Sequence, residues 1–432
     1  MRTYLLFGLA VAALVVVVML GMEPRHRDPS ERRATSHENA LPLLIGIALP
    51  STKRNDAVAR GAELAVKQIN ESGDTLGRKL SLTIMHTSAP PSSGATDDTD
   101  AADARDQAIR LAALRPIAVI GHDSWDGALS ASQVYEERRI LFLALHPTSD
   151  SLNGHDFDVI FRLSTRTRER NNALATYAAE KGFCSILAFR ANAEQGNENL
   201  FYFQEYARER GIDVASAVPY PAKSTDFMET LLFFLAKSPI SLKNTDAIYF
   251  SGSAASVTAF VADARSVGIK QPIIGSWSVK YNPNGHNSTI TNEDIEANTL
   301  GNNRNTPARW PEFADRYRTA FGYDPNESAA LGYDSVYLIA RAIRETRTTE
   351  SYKLATYLHA LRHIAPFDGV IGPIAFELDG NLIGASVDIV EFNNDKIIAT
   401  QWKTAAADLL SSSAVPCKRA VTPETALYNG VP

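Results

Sequence analysis

Five side chains suited to binding a polar molecule stand in two short turns in the first half of the chain. They are Ser124, Trp125, Asp126, His146 and Thr148. Each turn follows a short apolar run, at 117–120 and at 140–145, and a helical pattern lies between the two runs. Two buried strands joined by a helix form a parallel crossover, so both turns are expected at one edge of a sheet. Small molecules bind at that carboxyl edge in open α/β sheets.

The first turn precedes a helix, and a helix N-terminus offers unpaired N–H groups and partial positive charge. These groups, with the hydroxyls of Ser124 and Thr148, are suited to hold an anion or a carbonyl group. Structural roles compete with binding at the neighbouring positions. Asp126 is a natural N-cap for the following helix, and His146, which precedes a proline, is suited to end a strand. Trp125 either contacts the ligand or packs in the core.

The same turns carry no recognisable metal site or catalytic motif. His122, Asp123, Asp126 and His146 are metal-binding residue types, but they lie in turns rather than at a fixed spacing on a helix. The glycines around Ser124 are too far apart for the G-x-S-x-G turn of hydrolases. The sequence therefore predicts a binding site with no metal and no cofactor, and a protein that is not an enzyme.

Composition and charge are those of an ordinary globular protein. The chain has 432 residues, of which 45% are hydrophobic and 21% are charged, and its net charge is −6. The length favours two or three domains with a buried core. Because nucleic-acid-binding proteins present basic surfaces, the acidic balance argues against a nucleic-acid partner.

The N-terminal segment is apolar. Residues 3–22 contain no charge and are long enough to cross a bilayer. No A-x-A cleavage pattern follows, so we predict that residues 1–22 are a membrane anchor in preference to a cleaved signal peptide, with 23–41 as a polar linker. Arg2 alone precedes the apolar run, whereas arginines cluster after it, and the positive-inside rule would then keep the body in the cytoplasm.

Cys184 and Cys417 are the only cysteines in the sequence, and their separation does not match a metal-ligand motif. They either form one disulfide that ties the C-terminal tail to the body in an oxidising compartment or remain two separate thiols. The sequence leaves both alternatives open.

Strands and helices alternate through most of the remaining chain, and the pattern starts again near residue 157. This alternation predicts parallel sheets in two similar lobes. Residues 282–305 are irregular, and Asp-Gly and Asn-Asp turns after residue 366 indicate antiparallel hairpins. The expected fold class is α/β, with two doubly wound parallel-sheet lobes.

The order of these elements resembles that of the branched-chain amino acid-binding family of periplasmic solute receptors. The segments that resemble the family keep its order and spacing and are found at 61–82, 120–140, 148–152, 224–227, 264–275, 332–343 and 367–381. They include the phrases GAELAVKQINESG, GYDSVYLIARAI and FDGVIGPIAFELDGN. The resemblance covers residues 43–402, which is most of the predicted folded body.

The resemblance implies two α/β lobes joined by three hinge strands. The hinges would fall near Arg162-Leu163, Gly275-Ser276 and Ala365-Phe367. The segments implied are 42–162 and 277–365 for lobe 1, 163–276 and 366–403 for lobe 2, and 404–432 for a C-terminal tail.

In that family the ligand carboxylate is held by hydroxyls and backbone N–H groups of the first lobe, which match the two turns described above. The facing positions in lobe 2 are Ser253, Ala254 and Trp277. Family members that bind amino acids carry an acidic residue where Trp277 stands, to pair with the ammonium group. An indole has no charge, although it can stack on a ring or hold a cation over its face. We therefore expect a small polar or aromatic ligand other than an ordinary aliphatic amino acid, unless Trp277 packs between the lobes.

The resemblance implies a monomeric receptor on the periplasmic side of the bacterial inner membrane, anchored there or secreted. Such receptors work outside the cytoplasmic membrane, which overrides the charge pattern around the apolar run. The expected partner is an ABC permease that recognises the closed lobes. The alternative is a membrane-tethered module that reports ligand occupancy to a signalling protein, because an anchor suits a receptor that need not diffuse. A structural or assembly factor with an empty cleft is a third interpretation.

Overall fold

Two separate β-sheets organise the chain, and each is the centre of one lobe. The structure is a computed structural model. It describes residues 41–49, 53–73, 75–86, 97–122, 124–237, 244–275, 294–298, 307–384, 386–393, 396–405 and 416–417.

The first sheet is five-stranded, and all of its neighbouring strands are parallel. Its strands are β1 (Leu43–Ala48), β2 (Leu80–Met85), β3 (Ala118–Gly121), β4 (Leu141–Ala144) and β5 (Ile160–Arg162). Their spatial order is β2-β1-β3-β4-β5. Every residue of β3 and β4 is buried, as expected for parallel strands covered on both faces.

The second sheet is seven-stranded. Its strands are β6 (Ser185–Ala191), β7 (Asp213–Tyr220), β8 (Ala247–Ser251), β9 (Ile273–Gly275), β10 (Asp294–Asn298), β13 (Ser386–Asn393) and β14 (Lys396–Ala405). The parallel part has the order β7-β6-β8-β9-β10, and β13 and β14 extend it antiparallel beyond β10. The parallel parts of both sheets therefore share one winding order, which confirms the predicted α/β architecture with a repeated lobe. A short hairpin, β11 (Phe367–Gly369) and β12 (Gly372–Ile374), stands apart from both sheets.

Helices cover the faces of both sheets. They are α1 (Lys53–Ser72), α2 (Asp97–Ala113), α3 (Trp125–Glu137), α4 (Thr167–Glu180), α5 (Glu194–Glu209), α6 (Met228–Lys237), α7 (Ala254–Ser266), α8 (Trp310–Phe321), α9 (Glu327–Thr346) and α10 (Ser351–Ala360). A short 3-10 helix spans Asp150–Leu152. Helices α4 and α5 pack on one face of the second sheet, and α6 and α7 pack on the other.

Two glycines allow α1 and α9 to cross at close range in lobe 1. A Cβ at Gly61 would overlap the backbone oxygen of Ala329, and a Cβ at Gly332 would overlap that of Val58. Glycine is therefore required at both positions, because any side chain would push the helices apart. Both residues belong to the segments that resemble the receptor family.

Two lobe boundaries differ from the predicted ones. Residues 277–365 were expected in lobe 1, yet β10 pairs with β9 and β13 in the second sheet. The chain therefore does not leave lobe 2 at Gly275-Ser276. The sequence of β10, DIEAN, alternates polar and apolar residues over only five positions and has one strongly apolar residue, and its pairing on both sides identifies it as a strand.

The second difference concerns the hairpin β11–β12. Residues 366–403 were expected in lobe 2, but Phe367, Val370 and Ile374 pack into the core of lobe 1. The chain passes into the second sheet only before β13, not at Ala365-Phe367. The first predicted passage agrees with the structure, because β5 ends at Arg162 in the first sheet and α4 packs on the second.

In the part of the chain that the structure describes, no helix has the length and apolar character needed to cross a membrane. The apolar run at 3–22 and the linker at 23–40 lie outside the described residues.

Candidate functional site

Ser124 begins helix α3 at the carboxyl edge of the first sheet. It is the N-cap, and its Oγ accepts a hydrogen bond from the backbone N–H of Gly127 at 3.2 Å. Asp126 lies in the first turn, and its Oδ1 accepts from the same N–H at 2.8 Å. The prediction that Asp126 is the N-cap is therefore wrong, because the helix begins at Trp125, two residues earlier than a cap at Asp126 would allow. All three side chains of this turn are partly exposed.

The position of this turn is the one at which open α/β sheets bind ligands. The strand order reverses at β1, so β2 lies on one side of it and β3 on the other. Ligands of such sheets occupy the crevice outside the carboxyl ends of the strands at that reversal. Ser124, Trp125 and Asp126 follow β3 at this point and place a helix N-terminus, with its partial positive charge, beside the crevice.

The second turn follows the neighbouring strand. Gly121 of β3 pairs with Ala144 of β4, so the two turns begin about 4.8 Å apart, the spacing of adjacent strands. His146 and Thr148 are both partly exposed there. The Thr148 Oγ1 accepts from the hydroxyl of Thr167 at 3.2 Å, and the Thr148 carbonyl accepts from the Thr167 N–H at 2.8 Å. The second turn therefore contacts the start of α4, which belongs to lobe 2.

The side chain of Arg162 holds the backbone carbonyls of the second turn, a role that the sequence alone does not predict. Its side chain is 0% exposed. Its Nη1 donates to the Thr148 carbonyl at 2.9 Å, and its Nη2 donates to the Ser149 carbonyl at 2.5 Å and to Asn153 Oδ1 at 3.1 Å. Burial lowers the pKa of Arg162 to about 10, which leaves the guanidinium charged at neutral pH. In the sequence, this role is indicated only by a charged residue at the end of an apolar strand.

His122, next to the first turn, has a structural role. It is buried, and its Nε2 lies 3.0 Å from the hydroxyl of Tyr135. Burial lowers the pKa of His122 to about 3, so the imidazole is neutral at physiological pH. Within the described residues, no group of three or more His, Cys, Asp or Glu side chains could hold a metal ion.

Lobe 2 repeats the arrangement of lobe 1. Ser253 follows β8, the strand equivalent to β3, and is the N-cap of α7. Its Oγ accepts from the N–H of Ser256 at 3.1 Å. Ala254 is the first residue of the helix. Trp277 lies outside the described residues, so its predicted ligand contact stays a prediction.

The second turn brings a loop of lobe 1 into contact with lobe 2. Ser149, after β4, donates from Oγ to Glu198 Oε1 at 3.0 Å. Glu198 lies near the beginning of α5, which follows the carboxyl end of β6. The loop after β4 in lobe 1 and the helix after β6 in lobe 2 are therefore in contact.

Cys184 and Cys417 form a disulfide with a Cα–Cα distance of 5.6 Å, which confirms the first of the two alternatives. Cys417 also donates its N–H to the carbonyl of Arg210 at 2.7 Å, so the tail is tied to lobe 2 beside α5. Disulfides persist mainly in oxidising compartments outside the cytoplasm.

Comparison with known proteins supports the fold and the resemblance. The protein family described as "Periplasmic binding protein" matches residues 51–396. The Leu/Ile/Val-binding protein of Escherichia coli K12 is 24% identical over 350 residues, which cover 80% of this chain and 88% of that protein.

Solved structures agree. An ABC transporter substrate-binding protein from Desulfitobacterium hafniense, in complex with Leu, matches with a TM-score of 0.68 and 28% identity. The match covers 83% of this chain and 100% of that one. A solute-binding protein of an ABC transporter from R. palustris, in complex with benzoate, shares the fold with a TM-score of 0.65 at 16% identity, covering 85% of this chain and 96% of that one. The two sheets, the positions of their turns and these matches all agree. The chain belongs to the periplasmic binding protein family.

Proposed function

We propose that the protein is an extracytoplasmic solute-binding receptor that closes its two lobes on a small polar or aromatic ligand and presents it to the permease of an ABC transporter. The observation that carries this proposal is the placement of Ser124 and Ser253. Both are N-cap residues beside the strand-order reversal of their own sheet, and the two lobes are in contact through the loop after β4. The disulfide and the family membership support a location on the periplasmic side of the membrane.

The ligand is a carboxylate in this proposal. Leucine and benzoate, bound by the D. hafniense and R. palustris proteins, share a carboxylate and differ in the ammonium group and the ring. The N-terminus of α3, with the hydroxyls of Ser124 and Thr148, supplies the donors that a carboxylate needs. Trp277, in place of the acidic residue of amino-acid-binding relatives, favours an aromatic carboxylate over an aliphatic amino acid. Trp125, Asp126, His146 and Ala254 line the remaining positions of the proposed site.

Closure follows from differential affinity. A ligand that touches both lobes binds the closed arrangement more tightly than the open one and shifts the population by that difference. The closed receptor, acting as a monomer, is the form that the permease recognises. Sedimentation of the purified protein at several concentrations tests the monomeric state.

The experiment is calorimetry with benzoate, 3,4-dihydroxybenzoate and leucine on the wild type, Ser124→Asn and Ser124→Asp. Both substitutions keep a good N-cap, so the fold is retained. Only aspartate adds a negative charge where the carboxylate is proposed to bind. We expect an aromatic carboxylate to bind the wild type, asparagine to weaken it modestly and aspartate to abolish it. Tight binding of leucine alone would refute the proposed ligand class. Equal affinities of Ser124→Asn and Ser124→Asp would refute the proposed site.

A second candidate function is a membrane-tethered sensor that reports ligand occupancy to a signalling protein. The apolar run at 3–22 favours it, because a retained anchor would fix the receptor at the membrane. Fractionation of cells that express the full chain distinguishes the two. Recovery in the membrane pellet after a high-salt wash supports the tethered sensor, whereas free protein in the periplasmic fraction refutes it.

A further inference from the structure

Two residues of lobe 2 hold a loop of lobe 1. Glu198 and Tyr202 lie one turn apart on α5, and both face the segment that includes the 3-10 helix Asp150–Leu152. The Glu198 Oε1 accepts from the Ser149 hydroxyl and from the Asp150 N–H, each at 3.0 Å. The Tyr202 hydroxyl donates to Asp150 Oδ2 at 2.8 Å. We name these contacts the interlobe clasp.

Arg168 of α4 completes the clasp from the same lobe. Its Nε lies 2.8 Å from Asp150 Oδ2, and its guanidinium lies 5.2 Å from the centre of the Tyr202 ring. Asp150 is therefore approached by a cation and a phenol from lobe 2. Because the Asp150 side chain is only 21% exposed, solvent screens these contacts less than it would on an open surface.

The segment held by the clasp is continuous with the proposed ligand turn. Thr148 is adjacent to Ser149, and the carbonyls of both accept from Arg162 of lobe 1. Lobe 1 thus holds the carbonyl oxygens of Thr148 and Ser149, and lobe 2 holds the hydroxyl of Ser149 and the N–H and carboxylate of Asp150. Hydrogen bonds of this length weaken steeply with small displacements. A rotation of the lobes must therefore either carry the loop along or break the clasp.

We propose that Glu198 and Tyr202 are positioning residues that couple the conformation of the ligand turn in lobe 1 to the arrangement of the two lobes. The inference rests on the proposed receptor function, because that function has Thr148 bind the ligand. With the clasp intact, the turn that carries His146 and Thr148 and the lobe arrangement form one two-state element. Without it, the turn keeps only its bonds to Thr167 of lobe 2, and its coupling to the lobe arrangement is weakened.

The test uses the ligand-free full chain and does not need an identified ligand. Spin labels at Thr356→Cys on α10 and Glu229→Cys on α6 report the interlobe distance distribution, and hydrogen exchange reports residues 146–153. Both label sites are exposed, and the native cysteines are already paired. The variants are Glu198→Gln, Glu198→Ala and Tyr202→Phe, and Glu205→Gln on the same helix is the matched control.

We expect the backbone N–H of Asp150 to exchange about tenfold faster in Glu198→Ala. A hydrogen bond from a backbone N–H to a charged acceptor slows exchange by roughly that factor. The interlobe distance distribution should broaden in the same variant, less in Glu198→Gln and Tyr202→Phe, and not in the control. Faster exchange with an unchanged distance distribution would overturn the coupling, and so would no change in either. Circular dichroism confirms that each variant is folded. Failure of this test leaves the calorimetric test of ligand binding unaffected.

Discussion

Ser124 and Ser253 occupy the same position in the two lobes. Each follows the third strand of its winding order and accepts a hydrogen bond from the N–H three residues later, at 3.2 Å and 3.1 Å. The same local chemistry, a serine N-cap after a buried strand, thus begins the helix on both sides of the proposed cleft.

Removing the Ser253 cap should destabilise the protein by about 1 kcal/mol, because the N–H of Ser256 loses its side-chain acceptor. We expect Ser124→Ala to reduce the free energy of unfolding by less, because the N–H of Gly127 keeps its hydrogen bond to Asp126 Oδ1. Since the two sites lie in different lobes, the losses measured by urea titration should add in the double variant. Equal losses in Ser124→Ala and Ser253→Ala would show that Asp126 does not compensate for the missing serine.

Arg162→Lys should be more damaging than loss of a cap. A lysine ammonium cannot span the carbonyls of Thr148 and Ser149 and the side chain of Asn153, so a buried charge would keep fewer acceptors. We expect a loss of about 3 kcal/mol in the free energy of unfolding. Arg344→Lys is the control, because Arg344 is about half exposed and on the surface of α9. Equal effects of the two substitutions would contradict the role of Arg162.

The crossing of α1 and α9 gives a packing prediction. Gly61→Ala adds a methyl group against the backbone of Ala329, which cannot yield as a side chain can. We expect a loss of about 2 kcal/mol or more, within the range for overpacked cores. Gly154→Ala is the control, since its nearest neighbour would lie 3.7 Å away. Thermal unfolding of both variants compares them, and an unchanged melting temperature for Gly61→Ala would show that the helices separate without cost.

Regular periodicity explains which parts of the fold could be predicted. The strands β3 and β4 are short and wholly apolar, and the helix between them has an apolar face, so their parallel crossover could be read directly. The winding order then placed both polar turns at one edge. The strand β10 was not predicted, because the alternation in DIEAN is short and lies in an irregular stretch, and its pairing with β9 and β13 identifies it. The β13–β14 hairpin was predicted from its Asn-Asp turn, whereas the β11–β12 hairpin was not, and its packing on lobe 1 depends on contacts that no local pattern encodes.

In the candidate site, too, some features could be predicted from the sequence and others could not. The placement of Ser124 and Thr148 at the carboxyl edge could be predicted because they follow strands that the sequence indicates. The contacts of Glu198 and Tyr202 could not, since they cross the lobes, and Arg162 is marked in the sequence only as a charged residue at the end of an apolar strand. The helix start differs from the prediction for Asp126 because sequence alone rarely fixes a helix start to one residue.

The disulfide between Cys184 and Cys417 should stabilise the protein by about 2–5 kcal/mol, chiefly by restricting the unfolded chain. We expect the double variant Cys184→Ser, Cys417→Ser to unfold at a lower urea concentration than the oxidised wild type. Dithiothreitol should lower the wild-type midpoint to that of the variant and leave the variant unchanged. If the variant matched the oxidised wild type, the tail would add nothing to the stability of lobe 2.

Asp334 gives a pH dependence of stability. It is buried on α9, and its Oδ1 and Oδ2 accept from the N–H groups of Val370 at 2.8 Å and Ile371 at 2.9 Å, in the turn of the hairpin β11–β12. Burial raises its pKa from 3.8 to about 7. Between these values the unfolded chain releases a proton that the folded protein keeps. The stability due to this group is therefore complete below pH 4 and is lost as the pH rises through about 7, by an amount on the order of 4 kcal/mol.

The variant Asp334→Asn isolates this effect. Asparagine cannot ionise, so the unfolding free energy of the variant should lack this decline between pH 5 and pH 8, although the amide loses one of the two N–H bonds, a cost that does not change with pH. Urea titrations at several pH values measure the slope for both proteins, and the difference between them should narrow as the pH rises. Parallel slopes would mean that Asp334 is already ionised in the folded protein at pH 5. In that case its bonds to Val370 and Ile371 would outweigh the cost of burying the charge.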